Sequence, residues 1–157
     1  MTRNTTLISS LLLSLLSGLT ILIYFDEGTL FLATLLVAII AVKTVNKKIE
    51  TTDNKFSSDS LYINSFTGLW FALSIAPAFG VSIEEITSLS NGFIVQAIFS
   101  LIFFTLFHII KPSIIGRIFR TVKGGVGIMA STIIAGAAAG ISSSSLWQVY
   151  LQLTTLF

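Results

Sequence analysis

Long apolar stretches alternate with short polar ones along most of the chain. A helix that crosses a membrane needs roughly 20 mostly apolar residues, and fewer where flanking Lys or Arg side chains reach back to water. Five stretches meet this requirement, namely Leu7–Tyr24, Thr29–Lys47, Leu61–Phe79, Gly92–Ile110 and Gly127–Trp147. The pattern predicts an all-α fold, a polytopic bundle of about five transmembrane helices that forms a single domain over residues 1–157.

Composition places the chain in a membrane. Of its 157 residues, 54% are hydrophobic and 10% are charged, and the mean hydropathy is +0.93. These values exclude a soluble domain of this length. The chain contains no cysteine, which excludes disulfide bonds, thiol chemistry and thiolate metal sites.

Charged residues predict how the helices are oriented. When the five stretches are threaded alternately, all nine Lys and Arg residues fall on one side. The opposite side carries acidic residues only, namely Asp26, Glu27, Glu84 and Glu85. Because basic loops stay in the cytoplasm, we expect a cytoplasmic N-terminus and an external C-terminus. The same asymmetry accounts for the pI of about 9.1, so nucleic acid is not predicted as a partner.

Residues 104–140 differ from the rest because they join two apolar stretches through a basic, glycine-rich turn. Lys111-Pro112 ends one predicted helix, and the next begins within Gly124-Gly125-Val126-Gly127. Backbone N–H groups at a glycine-rich helix start can bind an anion, and lysine adds positive charge. We therefore predict a phosphate or lipid-headgroup site formed by Lys111, Lys123, Gly124, Gly125 and Gly127. Nonspecific contact between an ordinary basic cluster and anionic headgroups explains the same residues equally well.

Short segments of this region and of the upstream chain resemble a known family. They are S-G-L at 17–19, F-T-G-L-W at 66–70, K-P at 111–112, K-G-G-V-G-I-M at 123–129 and I-I-A-G at 133–136. In this order they resemble the phosphatidylglycerophosphatase A family, integral membrane enzymes that remove the terminal phosphate of phosphatidylglycerophosphate in bacterial phospholipid synthesis. The resemblance implies a multi-pass protein of the bacterial inner (cytoplasmic) membrane that contacts membrane lipids and their anionic headgroups.

The acidic site positions of that family carry neutral residues here. The resemblance implies an Asp-Glu pair before F-x-G-x-W, an Arg and an Asp before K-P, and two Asp residues after G-I-M. In their places stand Asn64, Ser65, Thr105, His108, Ser131 and Thr132. Each lies within about two turns of a predicted cytoplasmic helix end. Because unpaired polar groups are costly in lipid, we expect the six to form one polar cluster near that face.

Metal-dependent phosphate removal needs carboxylates that hold Mg²⁺ and neutralise the developing charge. No Asp or Glu lies inside the five predicted spans. Buried acids are costly in a membrane and are kept mainly where they function. We therefore predict a non-catalytic family member with no catalytic residue, metal or cofactor, which serves as a scaffold or accessory subunit of a membrane assembly.

Kinship favours the alternative, an active Mg²⁺-dependent phosphatidylglycerophosphate phosphatase. In that case Asp53 and Asp59 would reach a metal near Asn64. His108, the only histidine, is a candidate general base. It has no acidic neighbour in sequence to orient it, so a hydrogen-bonding core role is favoured.

A transporter or channel is disfavoured because no span carries a run of polar residues along one face.

The last predicted span carries a helix-packing motif. In G-A-A-A-G, Gly136 and Gly140 are four residues apart on one face of the helix, and small residues at this spacing let two helices approach closely in lipid. We predict a close helix contact through these two glycines. As a protein partner we expect another membrane protein or a second copy of the chain.

Overall fold

The computed structural model describes residues 3–52, 58–76 and 91–154, and these residues form six α-helices and no strand. The helices are α1 (Arg3–Tyr24), α2 (Glu27–Thr52), α3 (Ser58–Ile75), α4 (Asn91–Ile110), α5 (Ser113–Thr121) and α6 (Gly124–Thr154). The predicted all-α membrane bundle is confirmed. Within the described ranges, four segments are long and apolar enough to cross a membrane, namely Thr5–Tyr24, Glu27–Lys47, Gly92–Ile110 and Gly124–Thr154.

The third predicted span corresponds to α3, which does not reach the length and apolarity of the other four. This helix lies at the centre of the bundle and packs against α1, α2, α4 and α6. Leu69, Ala72 and Leu73 are almost completely buried there. A helix that its neighbours surround need not present an apolar surface to lipid, so α3 can carry more polar residues. Its predicted end at Phe79 lies outside the described residues.

Serine side chains join α1 to α3. The Ser10 hydroxyl donates to the Tyr62 carbonyl at 2.6 Å, and the Ser14 hydroxyl donates to the Phe66 carbonyl at 2.9 Å. In return, the Trp70 indole N–H donates to the Ser14 carbonyl at 3.1 Å. Because both partners advance by four residues from one bond to the next, the two helices run parallel.

Glycines of α6 lie directly against the α3 backbone. A Cβ atom at Gly136 would collide with the Gly68 carbonyl oxygen, and one at Gly140 would lie 2.8 Å from the Ala72 carbonyl oxygen. One turn further, the Ser144 hydroxyl donates to the Ala76 carbonyl at 2.8 Å. The partner of the predicted glycine contact is therefore α3 of the same chain, and α6 runs parallel to it.

The α4 helix runs antiparallel to α6. Gly92 lies against the Trp147 ring, and the Ser143 hydroxyl donates to the Gln96 carbonyl at 2.8 Å. Moving four residues forward along α4 thus means moving four residues back along α6. The starts of α1, α3 and α6 and the ends of α2 and α4 consequently lie at the same end of the bundle.

Most charged side chains lie near one of the two ends. The described basic side chains lie at the end where α6 begins, namely Lys43, Lys47, Lys111, Arg117, Arg120 and Lys123. Asp26, just before α2, and Glu27, the first residue of α2, lie at the opposite end. Which end faces the cytoplasm stays a prediction. Glu84 and Glu85 lie outside the described residues.

Candidate functional site

The candidate site lies at the basic end of the bundle, where α3 begins and α4 ends. The Ser65 hydroxyl oxygen is 3.4 Å from His108 Nε2, and both side chains are buried. The imidazole also stacks on the Phe104 ring, with 5.2 Å between the ring centroids. The structure therefore brings together two residues that are 43 positions apart and that the sequence assigned to one cluster.

Asn64 and Thr132 belong to the same end of the bundle. A Cβ atom at Gly68 would collide with both the Phe104 ring and the Thr132 methyl group, so α3, α4 and α6 meet there. One turn earlier on α3, the Asn64 side chain is buried, and its Oδ1 atom has no hydrogen-bond partner among the described residues. A buried carbonyl oxygen of this kind is available to a hydrogen-bond donor.

Three hydroxyl groups of the predicted cluster donate within their own helices. Thr105 donates to the Leu101 carbonyl at 2.7 Å, while Ser131 and Thr132 both donate to the Ile128 carbonyl, at 2.7 and 3.1 Å. Their hydrogens are therefore engaged and only their oxygen lone pairs are left. Together with Asn64 Oδ1, these oxygens present acceptors, which are the wrong polarity for a phosphate group.

The glycine-rich start of α6 already donates to an acceptor of the same chain. Gly124 has a φ angle of +73°, a conformation that disfavours any side chain. The next backbone N–H, that of Gly125, donates to Asn46 Oδ1 at 2.6 Å, and Gly125 also packs on the Val42 carbonyl. Asn46 on α2 thus caps α6 from 79 residues away. Of the glycines predicted to bind phosphate, Gly125 already donates its N–H to this residue.

Asn46 escaped the sequence reasoning because it stands in V-K-T-V-N-K-K, where a polar residue needs no special explanation. Gly127, the third predicted glycine, is buried beside the Val122 carbonyl. The only sequence signal for the cap was the glycine-rich start of α6, because the first backbone N–H groups of a helix need hydrogen-bond acceptors from outside it.

The predicted basic residues differ in their surroundings. Lys111 is half-buried, and its Nζ atom lies 3.0 Å from the centroid of the Phe119 ring in α5. This cation–π contact holds the ammonium group against the bundle. Three other basic residues are exposed, namely Arg117 and Arg120 on α5 and Lys123 just before α6. An anionic headgroup can therefore meet these three cations from outside without entering the polar cluster.

The predicted polar cluster does not fit a Mg²⁺ site. Mg²⁺ prefers hard oxygen ligands and is usually held by one or two carboxylates, whereas the cluster offers an amide, hydroxyl groups and an imidazole. Among the described residues, no group of three or more His, Cys, Asp or Glu could hold a metal ion. Asp53 and the Asp59 side chain, the substitute ligands under the alternative function, lie outside the described residues.

Comparison with known proteins identifies the fold family. Neither a curated protein nor a solved structure matches the chain significantly. The family model for phosphatidylglycerophosphatase A matches residues 5–146, which cover all of α2 to α5 and most of α1 and α6. The match therefore extends over far more than the K-P and K-G-G-V-G-I-M segments. The chain belongs to the phosphatidylglycerophosphatase A family.

Proposed function

We propose that this protein is a non-catalytic member of its family that serves as a scaffold or accessory subunit of a membrane assembly. The observation that carries the proposal is the chemistry of the polar cluster. Its residues are neutral, and three of its hydroxyl groups donate to carbonyls of their own helices. A phosphatase of this family would instead need carboxylates to bind a metal and stabilise the charge on the transferred phosphoryl group.

In this proposal, the remaining contact with lipid is made by exposed basic residues on α5 and just before α6. Lys123, Arg117 and Arg120 are free to meet a headgroup at the surface, while Asn46 competes for the N–H of Gly125. Contact of this kind is electrostatic and falls with ionic strength. It concentrates anionic lipid around the protein without chemical change.

Family membership favours the second candidate function, an active phosphatidylglycerophosphate phosphatase. Under this alternative, carboxylates from outside the cluster would complete a metal site near Asn64, whose Oδ1 atom has no partner in the described part of the chain. The buried Ser65–His108 pair would then lie beside the reacting phosphate. The two functions differ in one observable, the release of phosphate.

The lipid half of the proposal is tested with a soluble short-chain phosphatidylglycerophosphate and the detergent-purified protein. We expect binding that weakens as salt is raised and that Lys123→Ala reduces further. Lys43→Ala is the matched control, because Lys43 is also exposed at the basic end but belongs to α2. Equal losses in both variants would show a nonspecific charge effect and contradict a headgroup site at the turn. The catalytic half is tested by phosphate release.

A further inference from the structure

Two buried polar side chains of α4 have no partner for their hydrogen-bonding groups. Gln96 is 1% exposed and Ser100 is fully buried. Neither the Oε1 and Nε2 atoms of Gln96 nor the Oγ atom of Ser100 has a hydrogen-bond partner among the described residues. Burying such groups unpaired is costly in proteins, so a partner is expected.

Small side chains lie at the level of Ser100 on the two neighbouring helices. The antiparallel register set by Ser143 and Gln96 places Ala139 of α6 at the level of Ser100. On α3, the contact between Gly68 and Phe104 likewise places Ala72 at the level of Ser100. Both alanines are fully buried. At the level of Ser100, both neighbouring helices therefore carry a methyl group, which takes less room than a larger side chain would.

The geometry points to a bound water molecule between Gln96 and Ser100, held in the interface of α4 with α3 and α6. Residues four apart lie on the same face of a helix, so one water molecule can form a hydrogen bond with each of the two side chains. The amide and hydroxyl groups offer both donors and acceptors, as a buried water requires.

The ligand of this site is neutral. The segments that face each other here, residues 69–76, 92–104 and 135–147, contain no charged residue. An ion would therefore lose its hydration without gaining a counter-charge. Phe104, fully buried one turn after Ser100, separates this hydration site from His108 and the polar cluster. The site is thus distinct from the candidate functional site.

The sign of a stability change tests the inference. If water bridges the pair, Ser100→Ala removes one of its partners and leaves Gln96 short of a hydrogen bond, so the Tm falls by roughly 2–4 °C. The double variant Gln96→Leu, Ser100→Ala leaves no polar group unpaired, so we expect its Tm to recover towards that of the unmodified protein. Ser145→Ala, an exposed serine of α6, is the matched control and should change little.

A dry site would give the opposite result. Removing an unpartnered hydroxyl would then raise the Tm in Ser100→Ala, and Gln96→Leu would add to that gain. Either outcome contradicts the inference. An experimental structure at a resolution that shows waters provides a second measurement, independent of the variants. Density within hydrogen-bonding distance of both Gln96 and Ser100 supports the site, and its absence overturns it.

Discussion

Two sets of polar side chains inside this bundle contain similar residue types but form hydrogen bonds with different partners. The first set, the bridging serines, donates hydrogen bonds to backbone carbonyls outside the helix that carries each serine, and its members are Ser10, Ser14, Ser143 and Ser144. Ser144 also donates to the Gly140 carbonyl of its own helix. The second set, the polar cluster, contains hydroxyl groups that donate within their own helices, a Ser65–His108 contact and an unpartnered Asn64 oxygen. The bridging serines fix helix positions, whereas the polar cluster does little to join helices through hydrogen bonds.

This difference shows why residue type alone does not identify a site in a membrane protein. A serine hydroxyl that donates to a carbonyl of a neighbouring helix gains a hydrogen bond that lipid, which contains no water, cannot provide. The polar cluster forms few such bridges. It occupies the positions where the family resemblance implies acidic residues, and we propose that it is a former active site that has lost its charge.

The largest expected effect concerns the glycine contact that holds α6 against α3. Gly136→Leu and Gly140→Leu would each force a side chain into the α3 backbone and should cost about 1–3 kcal/mol or more. Ala137→Leu provides the control because Ala137 is only half-buried on the same helix. Thermal unfolding in detergent should show a clearly larger Tm loss for the glycine variants. Equal losses at all three positions would mean that the close contact does not exist.

A smaller effect is expected from the cap of α6. Asn46→Ala removes the acceptor of the Gly125 N–H and should destabilise the protein by about 1 kcal/mol. Thr44→Ala is the control, since this exposed threonine donates only within α2. Freed of Asn46, the N–H of Gly125 becomes available to an anion, so short-chain phosphatidylglycerophosphate should bind more tightly. Unchanged stability and unchanged binding together would contradict the cap.

The bridging serines predict a loss of similar or smaller size. Ser14→Ala leaves the Phe66 carbonyl without its interhelical donor and should cost about 1 kcal/mol, or roughly 2–4 °C in Tm. Ser9→Ala, on the same helix, removes only a bond to the Thr6 carbonyl of α1 and should have less effect. A greater loss for Ser9→Ala would show that bridging between helices is not what these serines contribute.

The smallest effect is a pH dependence at the end away from the polar cluster. Hydrogen bonds from the Thr29 side chain and backbone N–H lower the pKa of Asp26, which caps the start of α2, below its usual value. A lowered pKa means that the stabilisation is complete above the usual value and is lost as pH falls through the folded value. Asp26→Asn keeps a capping residue and should remove this part of the acid sensitivity. An identical acid profile in both proteins would argue against the cap.

The sequence predicted the bundle because apolar length and charge placement act over whole helices. It also predicted a close helix contact at Gly136 and Gly140, since small residues four apart on one helix face let a second helix approach closely in lipid. The Ser65–His108 approach followed from their similar depth below one face. Asn46 and the Gln96–Ser100 pair were not found, because their roles depend on which atoms lie opposite them after folding. Hydrogen-bond direction within the polar cluster was equally inaccessible, since a hydroxyl donates to its own helix or to a neighbour with similar ease.

Release of inorganic phosphate from phosphatidylglycerophosphate tests the central claim most directly. The purified protein is assayed in mixed micelles with Mg²⁺ and with a chelator, beside Asn64→Ala and His108→Ala variants prepared in the same way. The account predicts the same background rate in every sample, because no carboxylate belongs to the polar cluster. Metal-dependent release that either variant abolishes would contradict it and would establish this chain as a working phosphatase.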